Sequence, residues 1–503
     1  MWIGHGEAKM FKKVLIANRG EIAVRIMRTC REMGIETVAV YSEVDARALH
    51  VLEADEAVAL GESAPSGSYL HIEKIIDAAK KSGAEAVHPG YGFLAENPRF
   101  AEACEDSGLT FIGPPGRVIR DLGNKTMARR IMTSAGVPVI PGMMEPTQDP
   151  ERLGHEAKIM GYPVLVKAVA GGGGKGMRVV FEDQAMREAC LSAMSEAEKA
   201  FGDGSLYLEK HLESPRHVEF QILADGHGSV VHLFERECSI QRRHQKIIEE
   251  TPSPVMTTSL REAMGRAAVS AARAAGYVNA GTVEFLLDRS GRFYFLEVNT
   301  RLQVEHPVTE MTTGLDLVRE QLHIAAGDRL RFGQEDLFQR GHAIECRVYA
   351  EDPEQSFYPS PGKVLLHYEP AGPGIRNDCG IYEGFRVPVE YDPIIGKVIA
   401  YGETREASRR RMIRALETYA ILGIRTTIPY LIDILSSPEF AAGDLCTDFI
   451  ERHFQGWRQS TQEADMAKIA YIIQDLTAPA KAGTRQEAHG WPTPWETLGD
   501  WRL

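Results

Sequence analysis

What this 503-residue chain lacks narrows its possibilities first. No apolar run approaches the ~18 residues of a membrane-spanning helix, and the opening MWIGHGEAKMFKK has no signal-peptide core. Met10 offers an alternative start, because the first clean element begins just after it. The seven cysteines are odd in number and never form a CxxC pair, which removes a zinc or disulfide framework. Single cysteines fit a reducing, cytoplasmic setting. An excess of basic charge is also missing. The net charge of -13 argues against a general binder of nucleic acid or anionic membrane, while leaving room for a local basic site. There is no internal repeat. With 44% apolar and 25% charged residues the composition is that of an ordinary globular protein. At ~100–200 residues per domain, the length suggests about three.

Two phosphate-binding motifs are absent as well. PVLVKAVAGGGGKGMRVV, residues 163–180, holds four glycines followed by Lys175. A P-loop would need glycine where Val169 stands and Ser or Thr where Gly176 stands. A dinucleotide fingerprint would need a helix after the glycines, but MRVVF is rich in β-branched residues. The stretch therefore reads as strand, glycine turn and strand: either an ordinary glycine-rich surface loop or a mobile flap whose bare backbone can close on a ligand.

What is present is alternation. KKVLIAN, ETVAVYS and AEAVHPGYG read as strands; GEIAVRIMRTCREMG and YLHIEKIIDAAKKSG read as amphipathic helices. That order implies a parallel sheet covered by helices on both faces. The single glycine of ANRGEIA makes the domain Rossmann-like in shape only. The resulting division is a Rossmann-like domain over 1–112 and a linker with turns and one short helix over 113–138. A small α/β unit with the glycine flap covers 139–211, and a strand-rich body with later helices covers 212–455. The tail over 456–503 has no assigned role.

Three groups of charges need a reason. Lys167 interrupts an apolar strand, so its stem lies along an open face or its ammonium meets an anion; Lys125 could meet the same anion. In GTVEFLLDRSGRFYFLEVNTRLQVEHP a four-residue DRSG turn pairs Leu287 with Arg292 and Glu284 with Phe295. Glu284, Glu297 and Asn299 then share one face, with the glutamates as diagonal neighbours. That face is either solvated or a seat for a hard cation such as Mg²⁺ or Mn²⁺. Finally, Arg242, Arg243, His244 and Lys246 cluster, flanked by Glu235, Glu237, Glu249 and Glu250, as expected of a local anion site.

Together, ANRGEIAVRI, HPGYGFLAEN, AGGGGKGMRVV, RHVEFQILAD, SIQRRHQKIIEE, FLEVNTRLQVEHPVTE, GHAIECRVYAEDP and YDPIIGKVI resemble biotin carboxylase, the ATP-grasp component of biotin-dependent carboxylases, over about residues 11–455. The resemblance implies an α/β fold: a Rossmann-like N-terminal domain, an ATP-grasp domain with a mobile glycine-rich lid over 139–211, and a mixed α+β C-terminal domain. It implies that ATP activates bicarbonate as carboxyphosphate and that biotin on a carrier is then carboxylated. By resemblance, ATP meets Lys125, Lys167, Gly173, Gly174, Glu209, Lys210, His211, Leu212, His217, Gln241, His244, Glu284 and Glu297. Two Mg²⁺ or Mn²⁺ sit on Glu284, Glu297 and Asn299. Bicarbonate sits on Lys246, Arg301, Gln303 and the backbone of Val304. Glu305 acts as base and Arg347 stabilises the biotin enolate.

No Ala-Met-Lys-Met-type segment occurs, so the resemblance places the biotin carrier and the carboxyltransferase on partner chains. Arg28 and Glu32 lie where the family makes a homodimer contact. The implied role is the biotin-carboxylating component of an acetyl-CoA carboxylase type. The alternatives are the same component of a two-subunit pyruvate or 2-oxoglutarate carboxylase, or of a propionyl-CoA carboxylase. Another ATP-grasp ligase and a nucleotide-binding regulator are the competing classes.

Overall fold

Alternate residues of the first strand feed two different cores. Val14 and Ile16 of Lys13–Ile16 (β1) join a cluster with Ile22, Ile26 and Ala86, while Leu15 joins Val38, Val40 and Ile75. A strand buried on both faces marks a covered parallel sheet. Glu36–Ser42 (β2), Glu56–Gly61 (β3), Ala86–His88 (β4) and Thr110–Phe111 (β5) complete that sheet in the order β3-β2-β1-β4-β5, with every pairing parallel. The helix Gly20–Glu32 buries its apolar stripe and ends just before Gly34, whose φ of 71° a side chain would resist. The computed structural model describes residues 10–143, 145–169, 177–243 and 245–459. Gly173, Gly174, His244 and most of the tail expected over 456–503 lie outside the described residues.

Between residues 113 and 138 the sequence suggested turns and one short helix; the chain forms two, Gly116–Gly123 and Lys125–Ser134. Asn124 is the reason. It closes the first helix, and its side-chain oxygen accepts the Met127 amide to start the second, so one break in the pattern hides two elements. Val118, Leu122, Ala128 and Met132 of these helices are buried against the large sheet.

The flap strands form as read. Val164–Ala168 (β6) pairs antiparallel with Met177–Val180 (β7) on one side and Leu206–Lys210 (β8) on the other. The helices Pro150–Met160 and Asp183–Phe201 supply this small sheet's core through Leu153, Ala157, Cys190 and Ala193. The large sheet has eight strands. Arg216–Ala224 (β9), Val230–Arg242 (β10), Gln245–Thr251 (β11), Asn279–Leu287 (β12), Phe293–Asn299 (β13) and His342–Tyr349 (β14) run in the order β13-β12-β9-β10-β11-β14, followed by the strands Ile394–Gly402 and Ile375–Cys379. All of its pairings are antiparallel. No helix among the described residues is long and apolar enough to cross a membrane.

The β12–β13 hairpin departs from the register expected of a DRSG turn. Leu287 pairs with Phe293, not Arg292, so five residues, 288–292, form the loop. The Asp288 carboxylate draws the chain into this longer turn by accepting the Ser290 amide at 2.8 Å and the Arg292 amide at 3.0 Å. Carried on unbroken, that register would set Glu284 opposite Leu296 and turn Glu297 to the other face. A bulge at Leu296 takes up one residue and places Glu284 directly opposite Glu297, closer than the diagonal relation expected.

Candidate active site

A cleft of about 720 Å³ opens over the strands β8, β10, β11, β12 and β13 and the start of the helix His306–Thr313. Every described residue singled out from the sequence as a site residue lines it, apart from Lys125. Lys125 lines an adjoining cavity of about 300 Å³, which shares Lys167, Glu209, Glu297 and Asn299 with the cleft. A third cavity of about 320 Å³ meets the cleft at Arg301, Val304 and Arg347.

At the floor, the Lys246 ammonium donates to Glu219 at 2.5 Å, Glu284 at 2.8 Å and Glu305 at 2.7 Å, so all three of its N–H bonds are used. Burial lowers the affinity of this ammonium for its proton, but the three carboxylates outweigh it and hold the lysine well above its ordinary range. The effect on the acids is reciprocal. Burial pushes Glu284 up, yet Lys246 and His217 hold it well below the usual carboxylate range; His217 Nε2 stands 2.8 Å from its other oxygen. For Glu305, burial is outweighed by Lys246, Arg347 and Arg236, so this carboxylate stays ionised across the neutral range.

Two members of this floor escaped the sequence reading. Arg236 is fully buried, and its five N–H bonds all find partners: Glu219 at 2.6 Å, Gln221 at 2.7 Å, Thr309 and Thr282 at 3.1 Å, and Gln303 at 2.6 Å. By fixing the Gln303 oxygen it turns the Gln303 amide onto Glu284, 2.8 Å away. The signal was available. Glu219 in RHVEFQIL and Arg236 in LFERECSI interrupt apolar strands as Lys167 does, and a buried charge needs a partner.

Arg347 bridges two acids, donating to Glu249 at 2.6 Å and to Glu305 at 2.9 Å. Glu249 lies directly across the strands from Glu345, and both carboxyls are buried. Burial pushes Glu249 up to about 7, with Arg347 pulling it back and Glu305 adding to the rise. The folded chain therefore holds this proton more tightly than the unfolded chain does, and the associated stability is lost as pH climbs from the ordinary carboxylate range through 7. Urea unfolding of wild type and Glu249→Gln at pH 5 and pH 8 checks this. Wild type is expected to lose stability relative to the variant by up to ~1.4 kcal/mol per pH unit, and parallel profiles would contradict it.

Toward the mouth, Arg301 donates to Glu96 at 2.8 Å and to Asn299 at 2.9 Å, tying the cleft to the loop after β4. Asn299 in turn donates to Glu284 at 2.7 Å. Glu297 makes no hydrogen bond among the described residues. Its side chain is open to the cleft, and desolvation by the surrounding walls together with the facing Glu284 raises its carboxyl above the ordinary range. Two opposed carboxylates and an amide oxygen on one face form the donor set a hard divalent cation fits.

The basic cluster read from the sequence does not converge as expected. Lys246 and Arg243 face the cleft. Arg242 points elsewhere, pairing with Glu351 at 3.0 Å and stacking over Phe357 at 3.9 Å, because alternation along β10 sends it to the opposite side. The flanking acids have structural partners: Glu235 binds Arg261, and Glu250 binds Arg405 and His342. Lys167, which needed an anion, meets the buried Glu209, as does Arg129 at 3.0 Å. Lys210 is spent on the carbonyls of Gly161 and Tyr162, so this segment faces the cleft with backbone and with His211 and Leu212. Arg28 and Glu32 are partly exposed and contact Asp378 and Arg319.

Three family models match the chain: the biotin carboxylase N-terminal domain over residues 10–119, the carbamoyl-phosphate synthase L chain ATP-binding domain over 124–332, and the biotin carboxylase C-terminal domain over 345–452. The chain is 53% identical to a pyruvate carboxylase subunit of Methanothermobacter thermautotrophicus, a match spanning 93% of this chain and 94% of that one. It is 54% identical to a biotin carboxylase of Nostoc sp., over 88% of this chain and 99% of that one. The crystal structure of the biotin carboxylase domain dimer of Hydrogenobacter thermophilus 2-oxoglutarate carboxylase, in complex with MgADP, ADP and bicarbonate, is similar with a TM-score of 0.86. That similarity comes at 49% identity and covers 90% of this chain and 100% of that one.

Proposed function

Since the chain belongs to the biotin carboxylase family, we propose that it carboxylates biotin held on a separate carrier protein, using ATP and bicarbonate. This is the first half-reaction of a multi-subunit carboxylase. One observation carries the reading: a single ammonium, Lys246, joins the acidic metal face through Glu284 to Glu305, which in turn touches Arg347.

The roles divide by position. Glu284, Glu297 and Asn299 would hold Mg²⁺ or Mn²⁺, which neutralises charge on the ATP phosphates during transfer. Lys125 and Lys167 would meet the phosphates, and Gly173 and Gly174 would close the lid and exclude water. The segment from Glu209 to Leu212 would meet the adenine edge, His217 the phosphates and ribose, and Gln241 and His244 would contact the ribose side. Lys246, Arg301, Gln303 and the Val304 backbone seat bicarbonate, whose planar anionic oxygens suit a guanidinium fork beside an ammonium.

Glu305 takes the bicarbonate proton. The freed oxygen attacks the γ-phosphorus, and ADP leaves. Carboxyphosphate then splits into CO₂ and phosphate, phosphate takes the biotin N1′ proton, and the resulting nucleophile joins CO₂. Arg347 stabilises the biotin enolate oxygen. Proton uptake by Glu305 weakens its hold on Arg347 while Glu249 keeps the other edge anchored, so the arginine is released toward biotin as activation proceeds.

The chain acts as a homodimer with a carrier and a carboxyltransferase. The carboxyl acceptor is chosen on those partners, since relatives named for pyruvate and for 2-oxoglutarate carboxylases share this site-bearing chain at similar identity. A reducing, cytoplasmic setting accompanies the reading, and the seven buried, unpaired cysteines support it. The purified chain is expected to hydrolyse ATP only with bicarbonate, and faster with free biotin. ATP binding without biotin-stimulated turnover at any bicarbonate concentration would overturn the enzyme in favour of a nucleotide-binding regulator.

A further inference from the structure

Away from the cleft, a second cluster of ligating side chains has no part in the reaction. The strands Leu366–Tyr368 and Ala420–Leu422 pair antiparallel, which sets His367 opposite Ile421 and brings Tyr419 alongside. The strand Ile375–Cys379 delivers Cys379 to the same spot. Cys379 Sγ lies 3.6 Å from His367 Nε2 and 3.5 Å from Tyr419 Oη, and those two are 3.3 Å apart. Glu369 Oε1 lies 3.8 Å from Nδ1, the other nitrogen of the imidazole, so the exposed carboxylate joins the cluster by turning toward Nε2. One ligand atom each from His367, Glu369 and Cys379 lie within 4.8 Å of one another.

The distances among Sγ, Nε2 and Oη match one coordination geometry. With a metal–sulfur bond of ~2.3 Å and a metal–nitrogen bond of ~2.0–2.1 Å, a tetrahedral ion separates S and N by about 3.6 Å. The surroundings agree. Cys379 is 2% exposed, while Glu369 is exposed and offers an entry from solvent. Asn377 donates to Glu369 at 2.7 Å, the kind of outer hydrogen bond that aims a ligating carboxylate. A coordinating thiol gives up its proton to the solvent when it takes a cation.

We propose that His367, Cys379 and Glu369 form a binding site for a borderline-soft divalent ion of the zinc class, with Tyr419 at the fourth corner. A thiolate and an imidazole select such an ion over Mg²⁺, which favours the all-oxygen face of the cleft. Binding forms a metal–sulfur bond and releases the thiol proton to solvent, one proton per ion. Its effect is to staple the strand Leu366–Tyr368 to Ile375–Cys379 across the turn 370–374. None of this depends on the carboxylation reading.

The test uses the full chain, stripped of metal and held in saturating Mg²⁺ to cover the acidic face, and titrated with Co²⁺ and then Zn²⁺. One equivalent of Co²⁺ should give a thiolate-to-cobalt charge-transfer band that Zn²⁺ displaces. Cys379→Ser should abolish the band. His367→Gln and the exposed Glu369→Gln should each weaken zinc affinity by at least ~10-fold. Absence of a sulfur band, or a band that survives Cys379→Ser, would overturn the site. If the serine variant does not fold, unchanged zinc affinity in both glutamine variants overturns it equally.

Discussion

Glu305→Gln is expected to cut bicarbonate-dependent ATP cleavage by about 10²–10⁴-fold, the range a positioned proton acceptor contributes. ATP affinity should change by less than a few fold. The amide keeps the size of the carboxylate and sits in the same buried slot between Lys246 at 2.7 Å and Arg347 at 2.9 Å, but it cannot accept a proton. Burial alone would raise this acid. Lys246, Arg347 and Arg236 overrule burial, so its charge is lost only well below the ordinary carboxylate range. An acid limb of activity near neutrality would therefore belong to another group. Steady-state ATPase rates with and without bicarbonate, beside equilibrium nucleotide binding, separate the two effects. Turnover within tenfold of wild type would remove Glu305 from the base position.

Lys246→Met should have the largest effect on the apo protein. It leaves Glu219, Glu284 and Glu305 buried without their shared cation. Breaking a buried pair by removing one partner costs about 3–5 kcal/mol, partly relieved here because the orphaned acids can take up protons. A divalent cation on the same face supplies the missing charge. Added Mg²⁺ should therefore stabilise the variant more than wild type, even though bicarbonate-coupled turnover stays lost. Urea unfolding with and without Mg²⁺ reads both quantities. A variant as stable as wild type, with the same response to Mg²⁺, would mean that the three carboxylates do not depend on this lysine.

Local patterns carried most of the fold. The alternation of apolar strands and amphipathic helices up to residue 112 returned as a covered parallel sheet, because each segment's period and length pointed the same way. The glycine flap strands followed from β-branched residues on both sides of the turn. Motifs carried the site, and the described residues they named meet around one cleft and its neighbour. What stayed hidden depended on pairing across distance. The four-residue turn was wrong because the Asp288 side chain extends it, and no local signal announced the Leu296 bulge. Arg242 and Lys246 are four residues apart in one basic run, yet a hairpin lies between them and they diverge. Arg236 and Glu219 were visible only as charges out of place; their partnership required adjacent strands.

The bulge at Leu296 has a consequence for how this hairpin tolerates change. Beyond it, buried Val283 faces buried Val298, and the interior locks that half of the ladder. The parity of the acidic face is thus set inside the strand, not by the tip. Length variation between Asp288 and Arg292 can dissipate at the solvent end without reaching Glu297. Drawing Leu296 into the ladder opposite Glu284 would instead swing both Glu297 and Asn299 to the back of the sheet. The hairpin is free to drift where it is most exposed and is intolerant only where one inconspicuous leucine, with no chemistry of its own, must stay out of the ladder.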